Sequence, residues 1–397
     1  MKSRIAVIAA GIREPWGGSE ELWSRGAIRL VEQGVTVAAS IQARLPIHER
    51  VHDLMRGGVK VWLRPERYPL WKRMQAKILT GGRSAELLEV VSLLNTIKPE
   101  LVVLSTGVAL PSIELVELCR DRGLPFVTIG QANSEILWFE DEIAARYRQA
   151  IPAALRCYFV SWANLRLAER QIGCDLLNGE VVRNPFNVDV NSSPPWPSLT
   201  DEGELRLACV GRLDPRSKGQ DIVLEALATP VWMDRWWRLT FYGTGPMKDG
   251  IERLVHRLGL AGRVTFAGYV SPVEDIWSEN HALLMPSRGE GLPLAMVEAM
   301  LCGRAVIATD IGGHSEIVEE GITGFLADAA TVASVTRALE RMWECRFELR
   351  RMGEAASRSI RKKIPADPAK VFSENIRALL DNDQAKFGSV CQTRPVD

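Results

Sequence analysis

Two carboxylates with seven residues between them stand in RGEGLPLAMVEAMLCG, residues 288–303. Glu290 precedes an apolar run and Glu298 lies inside it. Burying an unpaired carboxylate is costly, so acids placed this way need donors. Ribose and sugar hydroxyls are such donors, and carboxylates bind them well. Gly291, Leu292 and Pro293 read as a turn entering a helix, because proline suits a first helical turn. The N–H groups of Gly291, Leu292 and Leu294 at that helix start suit phosphate oxygens. On this reading Glu298, two turns into the helix, reaches a ribose, and Glu290, at its mouth, reaches a sugar. The alternative is a helix carrying one solvated and one salt-bridged glutamate.

Two more stretches offer anion chemistry. In CVGRLDPRSKGQDIVLEAL, residues 209–227, Arg212 follows a strand pattern and Lys218 precedes Gly219 and a helical pattern. Two cations at a strand end beside a helix start make a phosphate clamp; the alternative is surface charge plus an ordinary helix start. In GIREPWGGSEELW, residues 11–23, Gly17 and Gly18 permit close backbone approach, and Ser19 is placed to cap the following helix. The loop is not GxGxxG, so the dinucleotide fingerprint is absent. A plain structural turn explains it equally well.

The elements that must position these residues follow from periodicity. Strand patterns occur at RIAVIAA, VTVAASI, VKVWL, LVVLS, PFVTIG and CYFVS, and again at LRLACVG, RLTFYG, RVTFAG, ALLMP, AVIAT and GFLA, with helical patterns between most of them. Such alternation predicts parallel sheets covered on both faces. NVDVNSSPPWPSLTDEGE, residues 187–204, reads as a linker, with a domain boundary near residue 195. Ligands of such domains bind at the C-terminal ends of the strands.

Composition agrees with a folded chain of two or three domains: 397 residues, 46% hydrophobic and 25% charged. Forty-nine basic and 49 acidic residues cancel, which excludes a whole-chain nucleic-acid footprint. There is no apolar run of about 18 residues, so no spanning helix is expected. The start MKSRIAVIAAGIREP reads as a buried strand in preference to a signal peptide. Seven scattered cysteines without a CxxC pair predict reduced thiols in a cytoplasmic protein. The five histidines lack metal-ligand spacing, and no carboxylate pair of the DxD type marks a strand end. No metal is expected.

Taken together these stretches resemble the retaining glycosyltransferases of family 4. The resemblance runs through GGSE at 17–20, VGRLDPRSKG at 210–219, FYGTGP at 241–246, VTFAGYV at 264–270 and MPSRGEGLPLAMVEAMLCGRAVIATDIGGHSEIVEEGITGFL at 285–326. It covers nearly all of the second half and is looser in the first. It implies the GT-B fold: two doubly wound Rossmann-like α/β domains facing across a cleft. These would be an acceptor domain at 1–190, a nucleotide-sugar donor domain at 200–365, and a helix at 366–382 crossing back to the first domain. It implies that Glu290 and Glu298 fill an E-x7-E motif, on the donor sugar and the ribose respectively. Arg212 and Lys218 would bind the donor diphosphate, backbone groups at Tyr269 and Val270 the base, and Gly17 and Gly18 the phosphates. The co-substrate would be a nucleotide-diphosphate sugar, and the acceptor a glycan, a lipid-linked or a small molecule, with no nucleic acid involved.

One departure concerns the strand PFVTIG, after which many family members carry a histidine. Here the chain continues QANSEILW, so Gln131 and Asn133 are the candidates for sugar or acceptor contact. Neither titrates near neutral pH, which disfavours a histidine base and fits proton transfer to the leaving phosphate. His314 reads as structural or peripheral. The basic, amphipathic stretch 62–83 offers contact with an anionic membrane face; the preferred reading is a helix packed on its own domain. PAKVFSENIRALL, residues 368–380, predicts the final helix, with a polar frayed tail beyond Asp381. The alternatives in function are a nucleotide-sugar epimerase and a non-catalytic nucleotide-sugar binding protein.

Overall fold

Neighbouring residues of the first strand feed two different cores. Ile5, Val7 and Ala9 pack with Trp23, Leu30, Phe372 and Ile376, while Ala6 and Ile8 pack with Leu104, Val116 and Phe159. A strand buried on both faces belongs inside a parallel sheet clothed by helices. The computed structural model describes residues 3–10, 16–43, 46–66, 68–70, 74, 85–197 and 203–381.

The chain divides into two units. The first comprises the residues up to Pro185 and those from Asp367 onward; the second is Phe186–Ala366. The first sheet holds β1 (Arg4–Ala10), β2 (Thr36–Gln42), β3 (Lys60–Arg64), β4 (Leu101–Thr106), β5 (Phe126–Gly130), β6 (Arg156–Phe159) and β7 (Gly179–Val181). Their order is β3-β2-β1-β4-β5-β6-β7, and every pairing is parallel. The second sheet holds β8 (Leu205–Val210), β9 (Trp237–Tyr242), β10 (Val264–Gly268), β11 (Ala282–Met285), β12 (Ala305–Thr309) and β13 (Gly324–Ala327). Its order is β10-β9-β8-β11-β12-β13, again all parallel. Strand order reverses between β1 and β4 and between β8 and β11, the switch points at which doubly wound sheets bind ligands.

The twelve strand patterns read from the sequence each correspond to a strand. The thirteenth strand, β7, has only three residues and no apolar run to announce it. It sits at the sheet edge, where less burial is demanded.

Three expectations need adjustment. The change of unit comes at Pro185/Phe186, ahead of residue 195. The cause is that part of the expected linker is packed: Arg361 Nε donates to Val190 O at 2.8 Å, Arg304 Nη2 donates to Pro195 O at 2.7 Å, and Trp196 lies against the second unit's core. In the stretch 62–83, Trp62–Arg64 belongs to β3, and Arg64 is buried with hydrogen bonds to Ser40 and Ala9 O. Leu70 and Met74 are exposed; residues 67, 71–73 and 75–83 lie outside the described residues. Finally, Gly17, not Ser19, holds the N-cap position of the Gly18–Glu32 helix. Glu20 turns its carboxylate back to Gly17 N at 3.0 Å and Ser19 Oγ at 2.6 Å. Burial raises the Glu20 carboxyl above its usual range.

The Pro368–Leu380 helix packs on Gly18–Glu32 within the first unit. Asp367 pairs with Arg29, Gln33 Nε2 reaches Ser373 Oγ at 3.3 Å, and Gly26 lies beneath the Phe372 ring. The tail after Asp381 lies outside the described residues. Cys119, Cys157, Cys174, Cys209, Cys302 and Cys345 are free thiols. No helix among the described residues is long and apolar enough to cross a membrane.

Candidate functional site

At the switch point of the second sheet the loops after β8 and β11 meet. Gly211 leads from β8 to Arg212, whose guanidinium pairs with Asp214 at 3.0 Å. Asp214 also binds Arg216 at 2.9 Å. Burial alone would raise the Asp214 carboxyl, but the Arg216 hydrogen bond and the charges of Arg212 and Arg216 outweigh it and hold the group below its usual range. Pro215–Lys218 forms one short helical turn, so Lys218 ends that turn instead of leading directly into the Gln220–Leu227 helix. Gly219 divides the two with φ +65°, and an added Cβ would fall 1.9 Å from Pro286 O. Only glycine allows the two loops to approach this closely.

Lys218 then reaches the loop after β11. Its Nζ donates to Glu290 Oε1 at 2.5 Å, and Ser287 Oγ donates to the same oxygen at 3.0 Å. Ser287 is itself held through its carbonyl by Thr309 Oγ1 at 2.6 Å, at the end of β12. Gly313 N donates to Gly291 O at 2.7 Å, and Gly312, at φ +51°, leaves no room for a Cβ against Glu290 O, 2.6 Å away. Glu290 therefore sits in a built cage: 7% exposed, with a cation, a hydroxyl and a backbone wall.

His314 is buried, not peripheral. Its Nδ1 lies 2.6 Å from Thr309 O, which assigns the proton to Nδ1, because a carbonyl only accepts. Burial lowers its pKa, opposed by the nearby Glu290 charge.

The helix carrying the second glutamate is Leu294–Leu301, with Pro293 at the N-cap, one residue ahead of the first helical turn expected for it. Glu298 is thus one turn into the helix, not two. Its Oε1 accepts from Asn187 N at 2.9 Å and from Asn187 Nδ2 at 3.0 Å. Glu298 is 4% exposed. Gly291 and Leu292 are buried at the entry to the helix, and Leu294 is half-buried. After β10, Tyr269 is exposed and Val270 half-buried, and the turn before them is held by Gly243 N on Gly268 O at 2.6 Å.

In the first unit, Gly17 and Gly18 open the helix after β1, at that sheet's switch point. Gln131, directly after β5, makes a reciprocal amide pair with Asn184 at 2.7 and 3.1 Å, and also donates to Ser19 O at 3.2 Å. Asn133 Nδ2 donates to Gln171 Oε1 at 2.9 Å, and Asn133 Oδ1 accepts from Ser134 N. Both residues are buried members of a polar network.

The structure thus brings Arg212, Lys218, Glu290, Gly291 and His314 to adjoining strand ends of one sheet, with Glu298 on the helix that follows. Sequence reasoning missed four partners. Asp214 and Ser287 lay inside quoted stretches, but nothing marked them. Thr309 is a strand residue like its neighbours, and Asn187 was absorbed into a segment read as a linker. Among the described residues, no group of three or more His, Cys, Asp or Glu side chains could hold a metal ion.

Comparison with known proteins finds a family match for the segment that holds the second-unit residues of this site. Residues 204–345 match the model described as Glycosyl transferases group 1. The chain is 33% identical over 168 residues to a D-inositol 3-phosphate glycosyltransferase of Gordonia bronchialis, covering 39% of this chain and 36% of the relative. It is 31% identical over 188 residues to a GDP-mannose-dependent alpha-(1-6)-phosphatidylinositol monomannoside mannosyltransferase of Mycobacterium tuberculosis, covering 43% of this chain and 49% of the relative. The chain spans less than half the length of these relatives. Among solved structures, Anabaena Alr3699/HepE in complex with UDP superposes with a TM-score of 0.70 at 18% identity, over 96% of this chain and 100% of that one. Sucrose-phosphate synthase from Thermosynechococcus elongatus gives 0.72 at 17%, over 97% and 100%. The fold is GT-B, with two Rossmann-like parallel-sheet domains.

Proposed function

We propose that this chain is a retaining glycosyltransferase that moves a sugar from a nucleotide-diphosphate sugar to an acceptor hydroxyl. The observation that carries the reading is the meeting of Lys218 with Glu290 at 2.5 Å, inside the segment that matches the glycosyl transferases model. A cation and a carboxylate caged together at a switch point present both charges that a glycosyl phosphate needs.

The chemistry follows from charge. When the bond between the anomeric carbon and phosphate oxygen breaks, its electron pair leaves on the diphosphate. Arg212, Lys218 and the N–H groups of Gly291, Leu292 and Leu294 are assigned to that growing negative charge, which fixed donors stabilise most in the transition state. Glu290 is assigned to the sugar, where positive charge develops. The acceptor oxygen forms the new bond on the face the phosphate leaves, and its proton passes to a phosphate oxygen. Glu298 is assigned to the ribose, backbone groups at Tyr269 and Val270 to the base, and Gly17 and Gly18 to donor phosphate. Gln131 and Asn133 are assigned to acceptor or sugar contact. Their amides support this route because they offer no competing base. The diphosphate is assigned to Arg212, Lys218 and backbone N–H groups, and the reaction is assigned no metal. The acceptor is a glycan, lipid-linked or small-molecule hydroxyl.

The test is a thermal-shift panel of UDP-, GDP- and ADP-sugars, since a ligand that binds the native state raises apparent stability. The sugar giving the largest shift should be hydrolysed slowly without acceptor, with the product anomer trapped by NMR. Binding without any turnover across acceptors would overturn the enzyme reading, and an inverted product would overturn retention.

A further inference from the structure

Glu298 lies in a buried helix, yet one of its hydrogen-bond partners comes from far away in the chain. Asn187 stands two residues after the change of unit and 111 residues before Glu298, and it is exposed where Glu298 is buried. Its backbone N–H and its side-chain amide converge on one oxygen, Oε1, at 2.9 and 3.0 Å. The terminal torsion of a glutamate is broad, so a carboxylate on a fixed helix can still turn about its own axis. Two donors on one oxygen remove that freedom. The donors are themselves fixed, because the following segment is pinned to the second unit: Asp189 N donates to Glu274 Oε1 at 3.2 Å, and Arg361 and Arg304 bind Val190 O and Pro195 O.

We infer that Asn187 is a positioning residue for the ligand's ribose, acting through Glu298. A ribose presents two adjacent hydroxyl donors, and a carboxylate receives both well only when its plane is set in advance. Asn187 sets that plane and touches no reacting atom. The inference rests on the assignment of Glu298 to the ribose.

The experiment compares UDP, GDP and ADP by calorimetry, takes the tightest binder, and pairs it with its 2′,3′-dideoxy analogue. Wild-type protein should bind the ribonucleotide about tenfold more tightly, the effect of hydrogen bonds to a charged acceptor. Asn187→Ala should weaken the ribonucleotide about fivefold and leave the dideoxy analogue within about twofold, shrinking the ratio. Asn187→Asp, which sets a second carboxylate against Glu298, should abolish the ratio. With the donor sugar, Asn187→Ala should raise KM while kcat stays within about twofold, as expected for a contact common to ground and transition states. If wild type discriminates and both variants keep its ratio, Asn187 is structural only and the inference fails by itself. If wild type does not discriminate, or binds no nucleotide, the ribose assignment of Glu298 fails first and takes the inference with it.

Discussion

Lys218 Nζ donates to Glu290 Oε1 across 2.5 Å, joining the loop after β8 to the loop after β11 over 72 residues of sequence. Glu290 is nearly buried and Lys218 about a quarter exposed. The pair is therefore both a structural tie and, in the proposed reaction, two charges held ready on opposite sides of the bond that breaks.

The clamp is tested by deletion. Arg212→Ala and Lys218→Ala should each lower turnover at least about 100-fold, as loss of a fixed donor to developing negative charge does. Lys218→Ala should also destabilise the fold by roughly 1–3 kcal/mol, because it strands the Glu290 carboxylate. Lys218→Ala/Glu290→Gln should recover most of that stability without recovering activity. Thermal melting and steady-state turnover read the two effects separately, and near-normal donor hydrolysis in both single mutants refutes the diphosphate assignment.

The two glutamates should fail differently. Glu298→Gln should raise donor KM more than it lowers kcat, since a ribose contact serves ground and transition states alike. Glu290→Gln should lower kcat more than it raises KM, since its charge matters most as the sugar becomes cationic. Matching kinetic signatures, or a fully active Glu290→Gln, would show that the division of labour is wrong.

Metal independence follows from assigning the diphosphate to Arg212 and Lys218. Activity should survive excess EDTA with no more than a minor change in rate. Complete loss in EDTA, restored by manganese, would move the diphosphate onto a metal and away from these side chains.

Stability should depend on pH through His281, which is 1% exposed and accepts from Arg206 N at 2.9 Å. Burial foremost, helped by the Arg206 charge, lowers its pKa from 6.5 to about 4. Between those values the unfolded chain binds a proton that the native chain does not. Stability is therefore lost as pH falls through this window, by about 3 kcal/mol in all, and levels off below it. His281→Asn keeps an acceptor for Arg206 N but does not titrate. Urea midpoints measured from pH 7 to 4 should fall less steeply in this variant; an unchanged slope would assign the effect elsewhere.

The sequence by itself determined the alternation of strands and helices, because apolar residues recur with the period of the element that buries them. Among the described residues, twelve of thirteen strands announced themselves in this way, and β7 did not, being three residues at an edge where little is buried. It also marked Glu290 and Glu298 as anomalous, since an acid beside or within an apolar run conflicts with its surroundings. What it left open was who satisfies them. Hydrogen bonds join groups that are near in space, and no local period records a partner 72 or 111 residues away. Only the tertiary structure seats Lys218 on Glu290 and Asn187 on Glu298, and draws residues 187–197 onto the second unit where composition suggested a loose connection. The physical reason is the same in each case: burial makes an unpaired charge expensive, and the partner that relieves it is chosen by the packing of the sheet, not by its neighbours in the chain.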